Sequence, residues 1–312
     1  MKSKKLISIV IPIYNEELGI PELIKQLTKF IDKIKGYDFE LILVENGSID
    51  NSYKLLQRSA HKDSRIKVLQ LAKNVGCDGG IEAGMQHVKG DCLIIMMVDL
   101  QEPVELISDF IIKWEQGYEI VYGKVKKRTG KFFRNIFSIL FYKLINILTG
   151  NMFPENASDF RLVDKKVYQA INNMQERNKY LRGLIAWTGF SQIGIPFDRK
   201  KRFAGESKAN FLTVLKVATN GIFSFSYIPL RLISILGFMI TLVSFMLGVF
   251  YLYLFSIWGR VTPGATTTIL LILSLFGVLF FVLGIISEYL VRIYEEVKRR
   301  PTYIVKNKIN LP

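Results

Sequence analysis

Leu6-Ile7-Ser8-Ile9-Val10-Ile11-Pro12-Ile13, followed at once by Tyr14-Asn15-Glu16-Glu17, is the stretch on which the fold turns. Its near-continuous, β-branched apolar run is what a strand buried on both faces requires. Lysines precede it, but the run is short, holds Pro12 and leads into acid, so it reads as a first strand rather than a signal peptide. A helix begins at about Pro21, a residue suited to a first turn. Its apolar positions Leu23, Ile24, Leu27, Phe30, Ile31 and Ile34 recur at helical spacing. Phe39–Val44 is the next expected strand; 46–48 is turn chemistry, and Asp50 or Asn51 is a candidate helix cap. Ile66–Leu71 reads as a third strand, Ile81–Val88 as a helix and Cys92–Val98 as a fourth strand. Strands alternating with helices predict an α/β domain with a Rossmann-like, mainly parallel sheet. The ligand crevice of such a sheet lies at the carboxyl ends of its strands.

The 312 residues are not uniformly apolar. Residues 1–228 read as a globular α/β domain, whereas 229–258 and 268–290 are two apolar stretches, each longer than the roughly 20 residues that span a bilayer core. The connector 259–267 holds one cation, Arg260, while Arg292, Lys298, Arg299, Arg300, Lys306 and Lys308 follow the second stretch. The positive-inside tendency therefore predicts a transmembrane hairpin with the domain, both termini and a basic 292–312 tail in the cytoplasm. A wide apolar stripe at 131–150, bordered by Lys131, Arg134 and Lys143, suits a helix lying in the membrane interface, with a buried core helix as the alternative.

Lys and Arg number 42 against 27 Asp and Glu, a net charge of +15, which calls for an anionic partner. With membrane segments present, lipid headgroups and phosphates fit better than nucleic acid, for which no zinc-finger, RNA-binding or basic-zipper pattern exists. Two cysteines and two histidines make no ordinary zinc site. They imply no disulfide framework either, and Cys92 in its apolar run reads as a small buried hydrophobe.

Four stretches fall at expected strand ends: Pro12–Glu17, Glu45-Asn46-Gly47-Ser48-Ile49-Asp50, Asn74-Val75-Gly76-Cys77-Asp78-Gly79-Gly80 and Asp99-Leu100-Gln101-Glu102-Pro103. Acids and amides there suit a base, a ribose and a metal diphosphate, and glycine-rich turns allow close backbone approach. Further along come Gly80-Ile81-Glu82-Ala83-Gly84, Ser158-Asp159-Phe160-Arg161-Leu162, Glu176-Arg177-Asn178, Arg182-Gly183-Leu184 with Trp187, and Arg199, Arg202 and Gly205-Glu206-Ser207-Lys208. As an ordered series closed by a membrane hairpin, these resemble family 2 glycosyltransferases of the GT-A fold. More narrowly, they resemble the polyprenyl-phosphate glycosyltransferases, both the dolichol-phosphate mannose synthase-like and the bacterial undecaprenyl-phosphate glucosyltransferase-like enzymes.

The resemblance implies the chemistry and its residues. A sugar would pass from a nucleotide-sugar to a polyprenyl phosphate, with inversion, to make a lipid-linked donor for envelope polysaccharide. Pro12, Tyr14, Glu16, Glu45, Asn46, Ser48, Asp50, Gly76 and Gly80 would hold the nucleotide-sugar. Asp99 and Gln101 would hold Mg²⁺ or Mn²⁺ on the diphosphate, and Asp159 would activate or position the acceptor phosphate. Arg161, Arg199, Arg202 and Lys208 would bind phosphates of donor or lipid. A hard cation on oxygen ligands and clustered guanidinium groups are both suited to a diphosphate leaving group.

Two departures matter. Glu45-Asn46 stands where the family commonly has Asp-Asp, and Met97 stands where it has the first acid of its metal motif. A thioether is a poor ligand for a hard cation, so the site is expected to rest on Asp99, Gln101, the diphosphate and water. Asn46 both donates and accepts, which leaves CDP- and GDP-linked donors open beside a UDP-sugar. A processive polysaccharide synthase shares the first half, but its Gln-x-x-Arg-Trp motif and additional spans are absent. A non-catalytic nucleotide- or lipid-binding membrane scaffold is the other alternative, motivated by Met97 and Asn46. Homo-oligomerisation through the hairpin stays open.

Overall fold

A computed structural model describes residues 4–126, 154, 156–177, 179–200, 203, 221, 225–226, 228–258 and 264–312. The 131–150 stripe, Arg202, Gly205–Lys208 and most of the connector lie outside them. The chain divides into two compact units, Met1–Gly221 with Arg300–Pro312, and Ile222–Arg299.

The first unit is built on β1 (Lys5–Ile13), α1 (Ile20–Ile31), β2 (Tyr37–Glu45), α2 (Ser52–Lys62), β3 (Ile66–Leu71), α3 (Gly76–Met85), β4 (Cys92–Ile95) and α4 (Leu106–Glu115). It continues through β5 (Ile120–Val125), β6 (Ala157–Asp164), α5 (Lys165–Asn173), α6 (Leu181–Trp187), β7 (Gln192–Phe197) and, at the far end of the chain, β8 (Val305–Ile309). The eight strands form one sheet in the order β7-β5-β6-β4-β1-β2-β3-β8. β1 pairs in parallel with β2 and with β4, and β2 with β3. β6 enters antiparallel between β4 and β5, and β8 runs antiparallel along β3.

The β1 run is buried on both faces, as its composition requires. Ile7, Ile9, Ile11 and Ile13 join Leu41 and Leu43 in a core with Leu23, Leu27 and Ile31 of α1, Leu56 of α2 and Phe110 of α4. The opposite face of β1 meets α3. A Cβ on Gly84 would stand 2.4 Å from Val10 Cγ1 and 2.9 Å from Val44 Cγ2, and one on Gly80 would stand 3.1 Å from Pro12 Cβ. Glycine at these positions lets the helix backbone settle directly on the sheet. The expected helix at 81–88 accordingly starts earlier, at Gly76, and runs through a glycine-rich turn that propensity alone marks as loop. β4 is shorter than expected, because beyond Met96 the chain turns through Leu100, held at φ +54°.

At the other end of the sheet, Glu40 is 3% exposed and anchors the strands' entry. It accepts from the Ser8 hydroxyl, from Lys67 and, at 2.9 Å, from the Lys89 backbone N–H.

The stretch expected as a basic tail at 292–312 is instead two ordered elements. The last helix runs to Lys298, and β8 follows as an edge strand of the sheet. Ala72 N donates to Ile304 O at 2.9 Å, Asn307 Nδ2 donates to Gln70 Oε1 at 2.6 Å, and the Tyr303 hydroxyl bonds Gln86 Oε1 beyond α3. Alternation of lysine with uncharged residues in 305–309 is an edge-strand pattern, its charges turned outward.

The second unit consists of α7 (Ile228–Trp258) and α8 (Ala265–Lys298), packed on each other. Ile228–Phe250 and Leu275–Lys298 have mean hydropathy 2.4 and 1.9, none of either window is buried within the protein, and both are long and apolar enough to cross a membrane. The Tyr289 hydroxyl donates to Ser226 O at 3.0 Å.

Gly84→Ala should lower stability by about 1–3 kcal/mol, the usual cost of forcing a methyl into a packed interface. An unchanged thermal or denaturant midpoint for this variant would show that α3 has room to lift from β1 and β2.

Candidate active site

Because β1, β2, β3 and β4 run parallel, their carboxyl ends share one edge of the sheet. The loops there are laced together by their own side chains. Asn15 sits at φ +50°, and its Oδ1 accepts from Ile49 N at 2.9 Å. Ser48 Oγ accepts from Asn15 N at 3.0 Å, and Ser52 Oγ from Glu16 N at 3.0 Å. Asp50 accepts from Glu17 N at 3.2 Å and from Ser52 N at 3.0 Å. It therefore ties two loops as well as opening α2, whose Asn51 makes no side-chain cap. Burial alone would raise the Asp50 carboxyl, but the donors at Ser52 and Glu17 outweigh it and hold the group below its ordinary value.

The structure gives Asn46 a definite occupation. It is 2% exposed; its Nδ2 donates to Gly76 O at 2.8 Å and its Oδ1 accepts from Val75 N at 3.0 Å. The amide thus clamps the turn into α3, where Gly76 stands at φ +83°. Beside it Glu45 is 1% exposed. Its Oε1 accepts from Ser48 N, and its Oε2 is buried without a partner among the described residues. Pro12 lies under Gly80, and Tyr14 and Glu16 are half-buried in the first loop.

At the end of β4, Asp99 Oδ1 accepts from Gln101 N at 3.2 Å. The same loop grips the basic stretch after β7. Lys200 N donates to Gln101 O at 2.9 Å, Gln101 Nε2 to Lys200 O at 3.3 Å and Phe203 N to Asp99 O at 3.3 Å. The Met97 sulfur lies 3.8 Å from Cys77 Sγ in the first turn of α3.

The antiparallel entry of β6 completes the site. Ile95 pairs with Arg161, so Asp159 stands at the strand end that adjoins the Asp99 loop. Arg182 of α6 grips Asp159 in bidentate fashion, Nε to Oδ1 at 2.9 Å and Nη2 to Oδ2 at 2.6 Å. Arg161 Nη2 lies 4.0 Å from the same carboxylate and donates to Ser158 O at 2.8 Å. Burial would raise the Asp159 carboxyl; Arg182, Arg161 and Arg199 overcome that and hold it below the usual carboxylate range. Two acids nearby behave oppositely. Burial, with Asp159 adding, pushes Asp78 up to about 7. Burial, opposed by the Ser158 hydroxyl and aided by Asp159 and Asp99, pushes Glu102 up to about 7. Near neutral pH these two carry only part of their charge, which leaves the guanidinium groups of Arg161, Arg182 and Arg199 less compensated.

The sequence reading singled out Asp99, Gln101, Asp159, Arg161 and Arg199, and the fold brings them to one edge. It assigned no role to Arg182, Asp78 or Glu102. Arg182 lay inside a quoted motif, but its partner is 23 positions away, a distance no helical or strand period bridges.

Comparison with known proteins agrees with this architecture. The family model described as "Glycosyl transferase family 2" matches residues 8–171. An uncharacterized glycosyltransferase, sll0501, of Synechocystis sp. is 39% identical over 302 residues, covering 96% of this chain and 95% of its own. The uncharacterized glycosyltransferase YkcC of Bacillus subtilis is 37% identical over 305 residues, covering 97% and 94%. The bactoprenol glucosyl transferase of Shigella phage SfV is 34% identical over 311 residues, covering 97% and 98%.

Asn46→Asp removes the donor to Gly76 O and sets a carboxylate against a carbonyl, a loss of about 1–3 kcal/mol local to the turn. Amide exchange at Val75 and Gly76 should accelerate while the core strands stay protected. Native protection at both amides would show that the clamp does not hold the turn.

Proposed function

This chain belongs to glycosyl transferase family 2, and we propose that it moves a sugar from a nucleotide-sugar to a polyprenyl phosphate at the cytoplasmic face of a membrane. The observation that carries the reading is the Asp159 carboxylate beside the Asp99 loop, gripped by Arg182, with Arg161 4.0 Å away and the charge of Arg199 acting on it. Guanidinium groups that already share one carboxylate are placed to receive a second oxyanion, and bidentate geometry suits phosphate. A phosphate monoester is anionic at neutral pH. Its oxygen attacks the anomeric carbon, the bond from that carbon to the diphosphate breaks, and the nucleoside diphosphate leaves with the bonding electrons, inverting the centre. Asp159, held below the usual range and pinned by Arg182, is poorly suited to take a proton; it orients the arginines and the acceptor.

On the donor side, Glu45 Oε2 is an acceptor without a partner among the described residues, and a base carrying an imide N–H is its chemical match. That favours a UDP-sugar and leaves GDP open. With Asn46 committed to the turn, cytosine loses its argument.

Among the described residues no three His, Cys, Asp or Glu side chains cluster to hold a metal. Asp99 and Gln101 nonetheless offer hard oxygen donors on one loop, a set that fits a divalent cation sharing the diphosphate's own oxygens. Bound there, Mg²⁺ or Mn²⁺ would neutralise charge developing on the leaving group.

The membrane reading rests on the two apolar helices and on chain topology. β8 belongs to the same sheet as β1, so the chain between them crosses a bilayer an even number of times. A hairpin satisfies that, and the cations after it favour the cytoplasmic side. The phage relative is named for a bactoprenol acceptor, which agrees with a long-chain polyprenyl phosphate here.

Purified protein supplied with undecaprenyl phosphate, Mg²⁺ or Mn²⁺ and UDP-, GDP- or CDP-sugars should form a sugar-phosphate-lipid, read by mass. Asp99→Ala should lower its rate by about a hundredfold or more, the scale of losing a group that stabilises charge in the transition state. No product from folded protein with any donor would turn the reading toward a non-catalytic nucleotide- or lipid-binding scaffold. Full activity of Asp99→Ala would remove the metal assignment.

A further inference from the structure

Glu102 is 3% exposed, lies three residues beyond Asp99 and holds neither donor nor acceptor in the chemistry above. Its Oε1 accepts from the Ser158 hydroxyl, and its Oε2 is buried without a partner among the described residues. As a contribution to stability this is a poor arrangement. A carboxyl with an orphaned oxygen, set near Asp99 and Asp159, is worse there than an apolar side chain of the same length would be. What Glu102 does provide is a connection. Ser158 Oγ also accepts from Phe160 N at 3.2 Å, and Ser158 O accepts from Arg161 Nη2 at 2.8 Å. Ser158 thus holds the backbone on both sides of Asp159 and the arginine beside it. The Glu102 loop meanwhile carries Asp99 and grips Lys200 and Phe203.

We propose that Glu102 is a positioning residue that, through Ser158, fixes the distance between the diphosphate-binding Asp99 loop and the acceptor-binding Asp159 with its arginines. Taking that loop as the donor end and Asp159 as the acceptor end rests on the reading under Proposed function. Direct displacement needs the attacking phosphate oxygen in line with the bond it breaks, and small misplacements of the two halves cost large factors in rate. The tie serves the relative placement of the two halves more than donor affinity, because Glu102, though it lies in the Asp99 loop, and Ser158 are not among the side chains assigned to the nucleotide or the metal.

The test compares wild type, Glu102→Met, Ser158→Ala, the double variant and Glu102→Gln, all as full chains in lipid nanodiscs. Glu102→Met fills the space without accepting a hydrogen bond; Glu102→Gln keeps the acceptor for Ser158. We expect kcat to fall on the order of tenfold to a hundredfold in Glu102→Met and in Ser158→Ala. The double variant should fall no further, and Glu102→Gln should keep most of the activity. Melting temperature and the Kd of the nucleoside diphosphate should stay at wild-type values, within about twofold for Kd, while amide exchange across 156–162 rises. A wild-type kcat in Glu102→Met or Ser158→Ala, effects that multiply in the double variant, or a Kd that weakens in step with kcat would overturn the proposal. Wild-type protein that forms no lipid product would sink the polyprenyl-phosphate reading instead. The tie would then stand or fall on whether exchange across 156–162 rises in Glu102→Met.

Discussion

The close seating of α3 on β1 and β2 is the constraint on which the loops at the carboxyl edge of the sheet depend. With hydrogen atoms alone at Gly80 and Gly84, the helix lies where any larger residue would push it off Val10, Val44 and Pro12. That height brings Gly76 within reach of Asn46, whose amide then bridges donor and acceptor of the helix's entry turn. It also sets Cys77 against Met97 and leaves Asp78 looking toward Asp159 and Arg182. That seating thus sets which side chains meet at the carboxyl edge of the sheet. The returning chain supports the same helix from outside. The Thr302 hydroxyl and Lys179 both reach Glu82, and the Lys179–Glu82 pair, 3.2 Å apart, is almost fully buried. The segment leading into β8 and the segment before α6 are therefore both tied to α3 by sequence-distant contacts.

Much of this was legible in the sequence, for identifiable reasons. β1 announced itself because a strand covered on both faces needs an unbroken apolar run. α1 announced itself because one of its faces is covered and the other is wet. The strand-end motifs followed from them, since a parallel sheet sends its carboxyl ends to one edge. What escaped was whatever depends on pairing across long separations. β6 and β8 are inserted antiparallel beside β4 and β3 by partners 66 and 239 positions away (Ile95 with Arg161, Leu69 with Lys308), and neither run is apolar enough to declare a buried strand. α3 was started late because three glycines in five residues, Gly76, Gly79 and Gly80, argue against helix on propensity; tertiary packing overrode that preference. Asn46 was read as a base-recognition residue because its chemistry suits that task. Only the structure shows its donor and its acceptor both engaged.

The two departures from the family pattern also acquire a physical sense. Asn46 is the residue that a carbonyl and an N–H from the same turn require, and an aspartate could satisfy only one of them. Met97 replaces a hard ligand by a soft one, and it does so beside Cys77, so the site gains a sulfur contact where it gives up a carboxylate. In the proposed reaction this moves the weight of charge stabilisation. With one protein carboxylate left for the cation, the diphosphate has to be bound largely by its own metal and by the basic stretch that the Asp99 loop grips. The acceptor phosphate is left to Arg182 and Arg161. The raised values of Asp78 and Glu102 act in the same direction, because acids that ionise only near pH 7 subtract less from that positive field than ordinary carboxylates would. In the proposed reaction the strand-end site therefore works as an anion site with one metal-capable acid at its edge, and not as a metal site with arginines around it.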